Sequence, residues 1–163
     1  MNSFAIAQPK SMAEASRIVS DKKYSLAVIK AGGIDLIDHL KEGLIAPDVV
    51  VNIRRLQSDK ELIKVSEGEI RIDAVATLAD IVSSAALRAA CPALVQSVEN
   101  AASPAVRNVA SVGGNLLQRP RCWYYRNEQF NCLKKGGATC FAVEGENRYH
   151  AIFGDGPCHI VHP

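Results

Sequence analysis

The cysteines in the last part of the chain are the first candidates for chemistry, because thiolates bind zinc ions and iron–sulfur clusters. Four of the five cysteines lie after residue 120, with nine, seven and seventeen residues between successive members. Zinc ribbons usually present closely spaced cysteine pairs, so this spacing leaves free thiols, a zinc tetrad and an iron–sulfur cluster open. The candidate metal ligands are Cys122, Cys132, Cys140 and Cys158.

Two glycine pairs suggest a second kind of chemistry, since glycine lacks the Cβ that would hold an anion away from backbone N–H groups. Gly32-Gly33 joins a β-prone run, Tyr24 to Ile29, to a short helix, whose N-terminus could hold a pyrophosphate. Gly113-Gly114 precedes the cysteine-rich segment and has polar residues on both sides. The spacing is not that of a GxGxxG unit, and an ordinary turn explains either pair alone.

Composition and charge limit the class of protein. The chain has 163 residues, of which 48% are hydrophobic and 22% charged, as in soluble globular proteins. A net charge of +2, with interspersed signs, indicates neither a nucleic-acid nor a membrane surface. We expect no secretion signal, because the N-terminal run Met-Asn-Ser-Phe has neither a basic start nor an apolar core. We therefore expect a cytoplasmic protein with reduced thiols, although a partner with its own signal could carry a folded complex across a membrane.

The hydrophobic pattern predicts the elements that position these residues. A β-α-β-α-β order ends at Arg54-Arg55, and a hairpin turning at Glu67-Gly68 follows. Thr77 is expected to cap the next helix, and the segment after Pro120 is expected to be loop. His150 stands beside aromatic residues and is expected to be a structural, hydrogen-bonded histidine.

Taken together, these features resemble a known family. The runs Ala31–Leu36 and Arg107–Leu116 are similar to the two flavin-binding loops of the medium, FAD-binding subunit of the molybdenum hydroxylases, the xanthine dehydrogenase and aldehyde oxidoreductase group. The resemblance continues through the run from Leu117 to Cys122 and the three later cysteines. With those cysteines it is closest to the bacterial aldehyde oxidoreductase branch, whose flavin subunit carries an additional 4Fe-4S cluster.

This resemblance implies an α+β, two-lobed FAD-binding fold of the PCMH/vanillyl-alcohol-oxidase-like type, truncated before its carboxy-terminal domain. Residues 1–56 would form the first lobe, and residues 57–163 the second, which includes the cluster-binding segment 119–158. FAD and a 4Fe-4S cluster are the implied cofactors, with the four cysteines named above as the cluster ligands. The residues expected to bind FAD are Lys30, Ala31, Gly32, Gly33, Ile34, Asp35, Leu36, Ser111, Gly113, Gly114, Asn115 and Gln118.

The resemblance also implies an electron relay. Electrons from an aldehyde or heterocycle would leave a molybdopterin-binding large subunit, pass through a 2Fe-2S small subunit, and reach FAD and then an external acceptor. These two subunits and the missing carboxy-terminal part of the same subunit are the implied partners, with no nucleic acid or membrane. No residue of this chain is expected to be catalytic, and the isolated fragment is expected to be inactive.

Departures from the family pattern keep two alternatives open. Ile34 stands where the family commonly has Thr or Ser, and the chain stops before a Ser-Asp segment that contacts flavin in relatives. The chain could therefore be a truncated assembly subunit that retains no flavin. It could also be a zinc-binding interaction module whose glycine pairs are turns. His159 or His162 could replace a cysteine as a metal ligand.

Overall fold

The structure is a computed structural model that describes residues 2–56, 61–153 and 156–161. Its contacts form two compact units. The glycine-loop unit consists of Asn2–Ile37 and Pro47–Gln118, and the cysteine unit contains Asp38–Ala46 and the chain from Arg119 onward. The lobe boundary predicted at residue 56 is followed by residues outside the described ranges, and it stays a prediction.

A parallel three-stranded sheet opens the chain, in the order β1-β3-β2. Val51 of β3 pairs with Ala7 on one side and with Ile29 on the other. Its side chain is fully buried, which is what a central strand covered on both faces requires. The predicted β-α-β-α-β order is confirmed as β1 (Ala5–Ala7), α1 (Met12–Val19), β2 (Ala27–Lys30), α2 (Ile34–Lys41) and β3 (Val49–Asn52).

An antiparallel hairpin and a run of short helices follow. Gly68 turns the hairpin with a φ of 74°, and Thr77 caps α3 by accepting a hydrogen bond from the Asp80 N–H at 3.1 Å. Both features were predicted. The elements are β4 (Ile63–Ser66), β5 (Glu69–Ile72), α3 (Leu78–Ser83), α4 (Ala85–Ala90), α5 (Pro92–Glu99), α6 (Pro104–Arg107) and α7 (Val112–Leu116).

Two hydrophobic clusters hold the glycine-loop unit together. The first joins the short helices, and the second packs α1 against the sheet and against Val75. Partly buried Ala31, the first residue after β2, packs against this second cluster, which ties the start of the first glycine pair to the core. The members of the first cluster are Leu78, Ile81, Leu87, Val95 and Val98.

The cysteine unit is mostly turns and loops, as predicted. A short 3₁₀ helix, Leu133–Lys135, follows Cys132, whose carbonyl oxygen accepts hydrogen bonds from the N–H groups of Lys135 at 2.9 Å and Gly137 at 3.0 Å. Aromatic rings supply the packing that regular elements supply elsewhere, with Phe130 lying 5.1 Å from both Tyr124 and Phe141 between ring centroids. Among the helices of the described ranges, none is long and apolar enough to cross a bilayer.

Candidate functional site

The first glycine loop, residues 31–36, connects β2 to α2. Lys30, the last residue of β2, stays in the sheet ladder because its carbonyl oxygen accepts the Ile53 N–H at 2.9 Å. Gly33 has a φ of 86°, a conformation that favours glycine, and its carbonyl oxygen accepts the Ile37 N–H at 2.9 Å to begin α2. The N–H groups of the first helical turn therefore lie at the end of the helix where anions bind.

Gly32 brings this loop against a distant part of the chain. A Cβ added at Gly32 would lie 2.1 Å from the Val109 carbonyl oxygen and 3.2 Å from the Ala110 Cα. Such distances leave room only for hydrogen at this position, so the two backbones are in direct contact. Val109 and Ala110 lead directly into the second glycine loop, residues 111–115. The structure thus brings together the two loops that the sequence separates by more than seventy residues.

Ser111 organises the second loop. Its side chain is buried, 4% exposed, and its Oγ accepts the Gly114 N–H at 3.2 Å as the N-cap of α7. It also forms an isolated antiparallel bridge with Thr77, and an added Cβ at Gly113 would lie 3.0 Å from Ala74. The loop is therefore fixed on the segment that precedes α3.

The hydrogen bonds of this second loop differ from the sequence-based expectation. The N–H groups of Val112 and Gly113 donate to carbonyl oxygens of Ala76 and Ala74 at 2.8 and 2.9 Å, and that of Asn115 donates to Ser111 at 2.8 Å. Because these donors are used within the unit, they do not converge on an anion as predicted. The second loop offers its polar side chains and a close backbone approach. Its assignment to FAD stays a prediction.

Positive charge accompanies the first loop. The pKa of Lys30 is lowered, first by partial burial and then by the charge of Arg54, and its Nζ donates to the Ala31 carbonyl oxygen at 3.2 Å. An anion beside these two cations would offset their repulsion. Sequence reasoning missed Arg54, although its place two residues after β3 was a usable signal, since neighbouring parallel strands end at the same edge of a sheet.

The remaining predicted flavin residues range from half-buried, as at Leu36, to exposed, as at Asn115. Ile34 is partly exposed, and Gln118 donates weakly to the Asn115 side chain at 3.4 Å. Arg107 belongs to the motif that suggested flavin, but its Nη1 donates to three carbonyl oxygens between residues 99 and 102 at 2.9 to 3.0 Å. We therefore assign Arg107 a structural role in the turn before α6.

In the cysteine unit, the four predicted metal ligands line one small cavity, together with His150 and His159. The cavity has a volume of about 20 Å³, which is room for about one water molecule. All four are free thiols. Within the described ranges no group of three or more His, Cys, Asp or Glu residues has an arrangement that could hold a metal ion. His162 lies outside the described residues.

Cys122 has neighbours that shift the pKa of its thiol. Burial raises the pKa of its thiol, and the neighbouring Cys132 and Cys158 raise it further. Backbone N–H groups of Tyr125 and Tyr124 donate to the sulfur and act in the opposite direction. A bound cation would lower this raised pKa and favour the thiolate that metals require.

Arg126 fixes the loop that carries Cys122. Its guanidinium contacts Asp38 at 2.5 Å and donates to the carbonyl oxygens of Pro120 at 2.7 Å and Arg119 at 2.9 Å. In the same unit, the Nε2 atom of the buried His39 lies 3.2 Å from the hydroxyl oxygen of Tyr125. Sequence reasoning missed this cluster, because no local pattern connects α2 with a loop more than eighty residues later.

Comparisons with known proteins identify the family of this chain. The family described as "FAD binding domain in molybdopterin dehydrogenase" matches residues 2–147. The aldehyde oxidoreductase FAD-binding subunit PaoB of Escherichia coli K12 is 32% identical over 166 aligned residues, which cover 100% of this chain and 51% of PaoB. The nicotinate dehydrogenase FAD-subunit of Eubacterium barkeri is 34% identical over 116 residues, which cover 71% of this chain and 39% of that relative.

A solved structure gives the same result for the fold. Quinoline 2-oxidoreductase from Pseudomonas putida 86 superposes with a TM-score of 0.64 and 28% identity, covering 71% of this chain and 39% of that one. This confirms the predicted α+β fold of the FAD-binding type. The chain spans about half the length of PaoB and less of the other two proteins. Since the family match covers most of its residues, the chain belongs to the family of FAD-binding domains of molybdopterin dehydrogenases.

Proposed function

We propose that this chain is the FAD-binding, electron-transferring part of a molybdenum-containing oxidoreductase. The observation that carries the proposal is the backbone contact of Gly32 with Val109 and Ala110, which places both glycine loops of the family motif side by side. FAD, when bound, supplies the electron transfer, and the protein supplies position and electrostatics.

The two loops have different roles in this proposal. The first loop receives the diphosphate at the N-terminus of α2, with Lys30 and Arg54 as nearby cations. The second loop, whose N–H groups from residue 112 onward serve the fold, approaches the cofactor with the side chains of Asn115 and Gln118. Gly32 and Gly113 allow close packing, because a side chain at either position meets the backbone.

The electron relay and its partners are part of the same proposal. PaoB and the Eubacterium barkeri relative are both named as FAD subunits, one of an aldehyde oxidoreductase and one of a nicotinate dehydrogenase. By analogy, electrons would come from an aldehyde or a nitrogen heterocycle through a molybdopterin subunit and a 2Fe-2S subunit, and would leave FAD for an external acceptor. We place this assembly in the cytoplasm, where thiols remain reduced.

A 4Fe-4S cluster held by Cys122, Cys132, Cys140 and Cys158 is the finer part of the proposal. Four soft donors line one cavity, and the backbone N–H groups of Tyr125 and Tyr124 lower the pKa of Cys122, the kind of donor that tunes cluster sulfurs. The cavity is smaller than a cluster, so the loops must move apart when one binds. A zinc-binding module is the second candidate, because a single ion needs less widening of a cavity of about 20 Å³.

Anaerobic purification of the chain tests these proposals, with FAD, iron, sulfide and zinc measured per chain and a visible spectrum recorded. We expect flavin bands with a broad iron–sulfur shoulder. Cys132→Ser should lose iron and keep FAD, whereas Cys91→Ser, a matched control on the other unit, should keep both. A colourless, zinc-loaded chain would favour the module, and an iron-containing chain that takes up no added FAD would contradict the flavin site.

A further inference from the structure

We propose that His150 is a positioning residue for the cluster, whose Nε2–H group hydrogen-bonds the sulfur of Cys122 and raises the reduction potential of the cluster. The inference rests on the proposed 4Fe-4S site and adds a residue that is not one of its ligands. It also gives a function to a histidine that sequence analysis treated as structural.

The first observation is the contact itself. The Nε2 atom of His150 lies 3.2 Å from Cys122 Sγ, within hydrogen-bond distance for a sulfur acceptor. A thiolate ligand carries no hydrogen and can only accept, so the imidazole must be the donor when Cys122 binds iron. A donor to a ligand sulfur withdraws negative charge from the cluster and favours its reduced state.

The second observation concerns the other ring nitrogen. His150 Nδ1 is buried, and within the described part of the chain it has no hydrogen-bond partner. A hydrogen on Nδ1 would be a buried, unsatisfied donor, which is rarer in proteins than an unsatisfied acceptor. This favours the tautomer whose hydrogen is on Nε2, facing Cys122.

The third observation is that the ring is held in place from several sides. Trp123 packs edge-on against it with 5.4 Å between ring centroids, and Tyr124 lies at 6.4 Å. The backbone is fixed as well, because the His150 N–H donates to the Asn147 carbonyl oxygen and the Ala151 N–H to that of His159, both at 2.8 Å. The imidazole is therefore already oriented toward the Cys122 sulfur before a cluster binds.

Redox titration followed by EPR of the reduced cluster tests the inference. His150→Phe keeps an aromatic ring among the others but removes the donor, so its midpoint potential should shift to more negative values. His150→Gln keeps an N–H donor and should restore most of the shift. Tyr149→Phe is the matched control, since this exposed residue packs against Trp123 with 5.8 Å between ring centroids and does not line the sulfur cavity. Its potential should stay closer to wild type than that of His150→Phe.

A second measurement detects the contact between the histidine and the cluster directly. In wild-type protein labelled with ¹⁵N-histidine, pulsed EPR should detect a histidine nitrogen weakly coupled to the reduced cluster, and the coupling should vanish in His150→Gln. Wild-type iron content with an unchanged potential in His150→Phe and no such coupling would overturn this inference alone. A wild-type chain without iron would overturn the proposed cluster together with it.

Discussion

Replacing Gly32 with alanine is the most direct test of the loop contact. The new methyl group would lie 2.1 Å from the Val109 carbonyl oxygen. Carbon and oxygen atoms in contact lie roughly 3.5 Å apart, so the backbones must separate by about 1 Å or more. Neither side yields easily, because the clashing atoms are backbone and the first loop is tied to the core through Ala31.

The size of the effect follows from overpacking, which lowers the free energy of unfolding by about 1–3 kcal/mol. If that strain is relieved by parting the loops, FAD loses the shape of its site, and each 1.4 kcal/mol lowers affinity about tenfold. We expect Gly32→Ala to bind FAD at least roughly tenfold more weakly. Flavin fluorescence quenching gives the dissociation constant, and urea unfolding followed by circular dichroism gives the stability of the same samples.

Gly68→Ala is the control for lost stability. Gly68 has a φ of 74° at the hairpin turn, and an added Cβ there would meet no atom within 4 Å. This variant should lose about 1–2 kcal/mol of stability through backbone strain and keep its FAD affinity. If Gly32→Ala bound FAD as tightly as Gly68→Ala, the contact between the loops would be structural and our account of the flavin site would fail.

Three further predictions concern the anchoring residues and pH. Ser111→Ala removes the N-cap of α7 and should cost about 1 kcal/mol, seen as a lower urea midpoint. Arg126→Leu leaves the Pro120 carbonyl oxygen and Asp38 without their donor and should cost about 2–3 kcal/mol and reduce the metal retained per chain. The pKa of Lys30 lies below its ordinary value of 10.5. Its charge is therefore lost earlier as pH rises, so FAD affinity should fall at alkaline pH below that value, and Lys30→Met should flatten this dependence. Folded protein also holds this proton less tightly than the unfolded chain, so Lys30 makes stability rise with pH over the same window.

Local patterns predicted the elements because each is determined mainly by nearby residues. The apolar run of β3 and the helix cap at Thr77 are examples. Boundaries were less accurate where a distant group intervenes. The second strand was expected from Tyr24, but the Asp48 carboxylate accepts the N–H groups of Ser25 and Leu26 at 2.6 and 3.0 Å. These donors are therefore unavailable to the ladder, and β2 begins at Ala27.

The candidate site was only partly predictable for the same reason. Glycine pairs identify places where a side chain would be excluded, but not what excludes it. The partner of Gly32 is a carbonyl oxygen of Val109, an atom that every residue carries and that leaves no mark in the sequence. The second-loop N–H groups donate to carbonyl oxygens of Ala74 and Ala76, and no sequence pattern predicts these hydrogen bonds either. Histidine chemistry at position 150 depends on a sulfur 28 residues earlier, so spacing alone could not assign it.

If the proposed metal site is filled, the turn at Cys132 also affects how the chain would respond to a chelator. One carbonyl oxygen receives two backbone N–H groups there, and neither bond involves a thiol. Loss of an ion would therefore leave these two backbone hydrogen bonds intact, in contrast to zinc fingers, which unfold without metal. Metal binding would then require only ion entry and loop opening, because Cys132 would already lie in a folded turn.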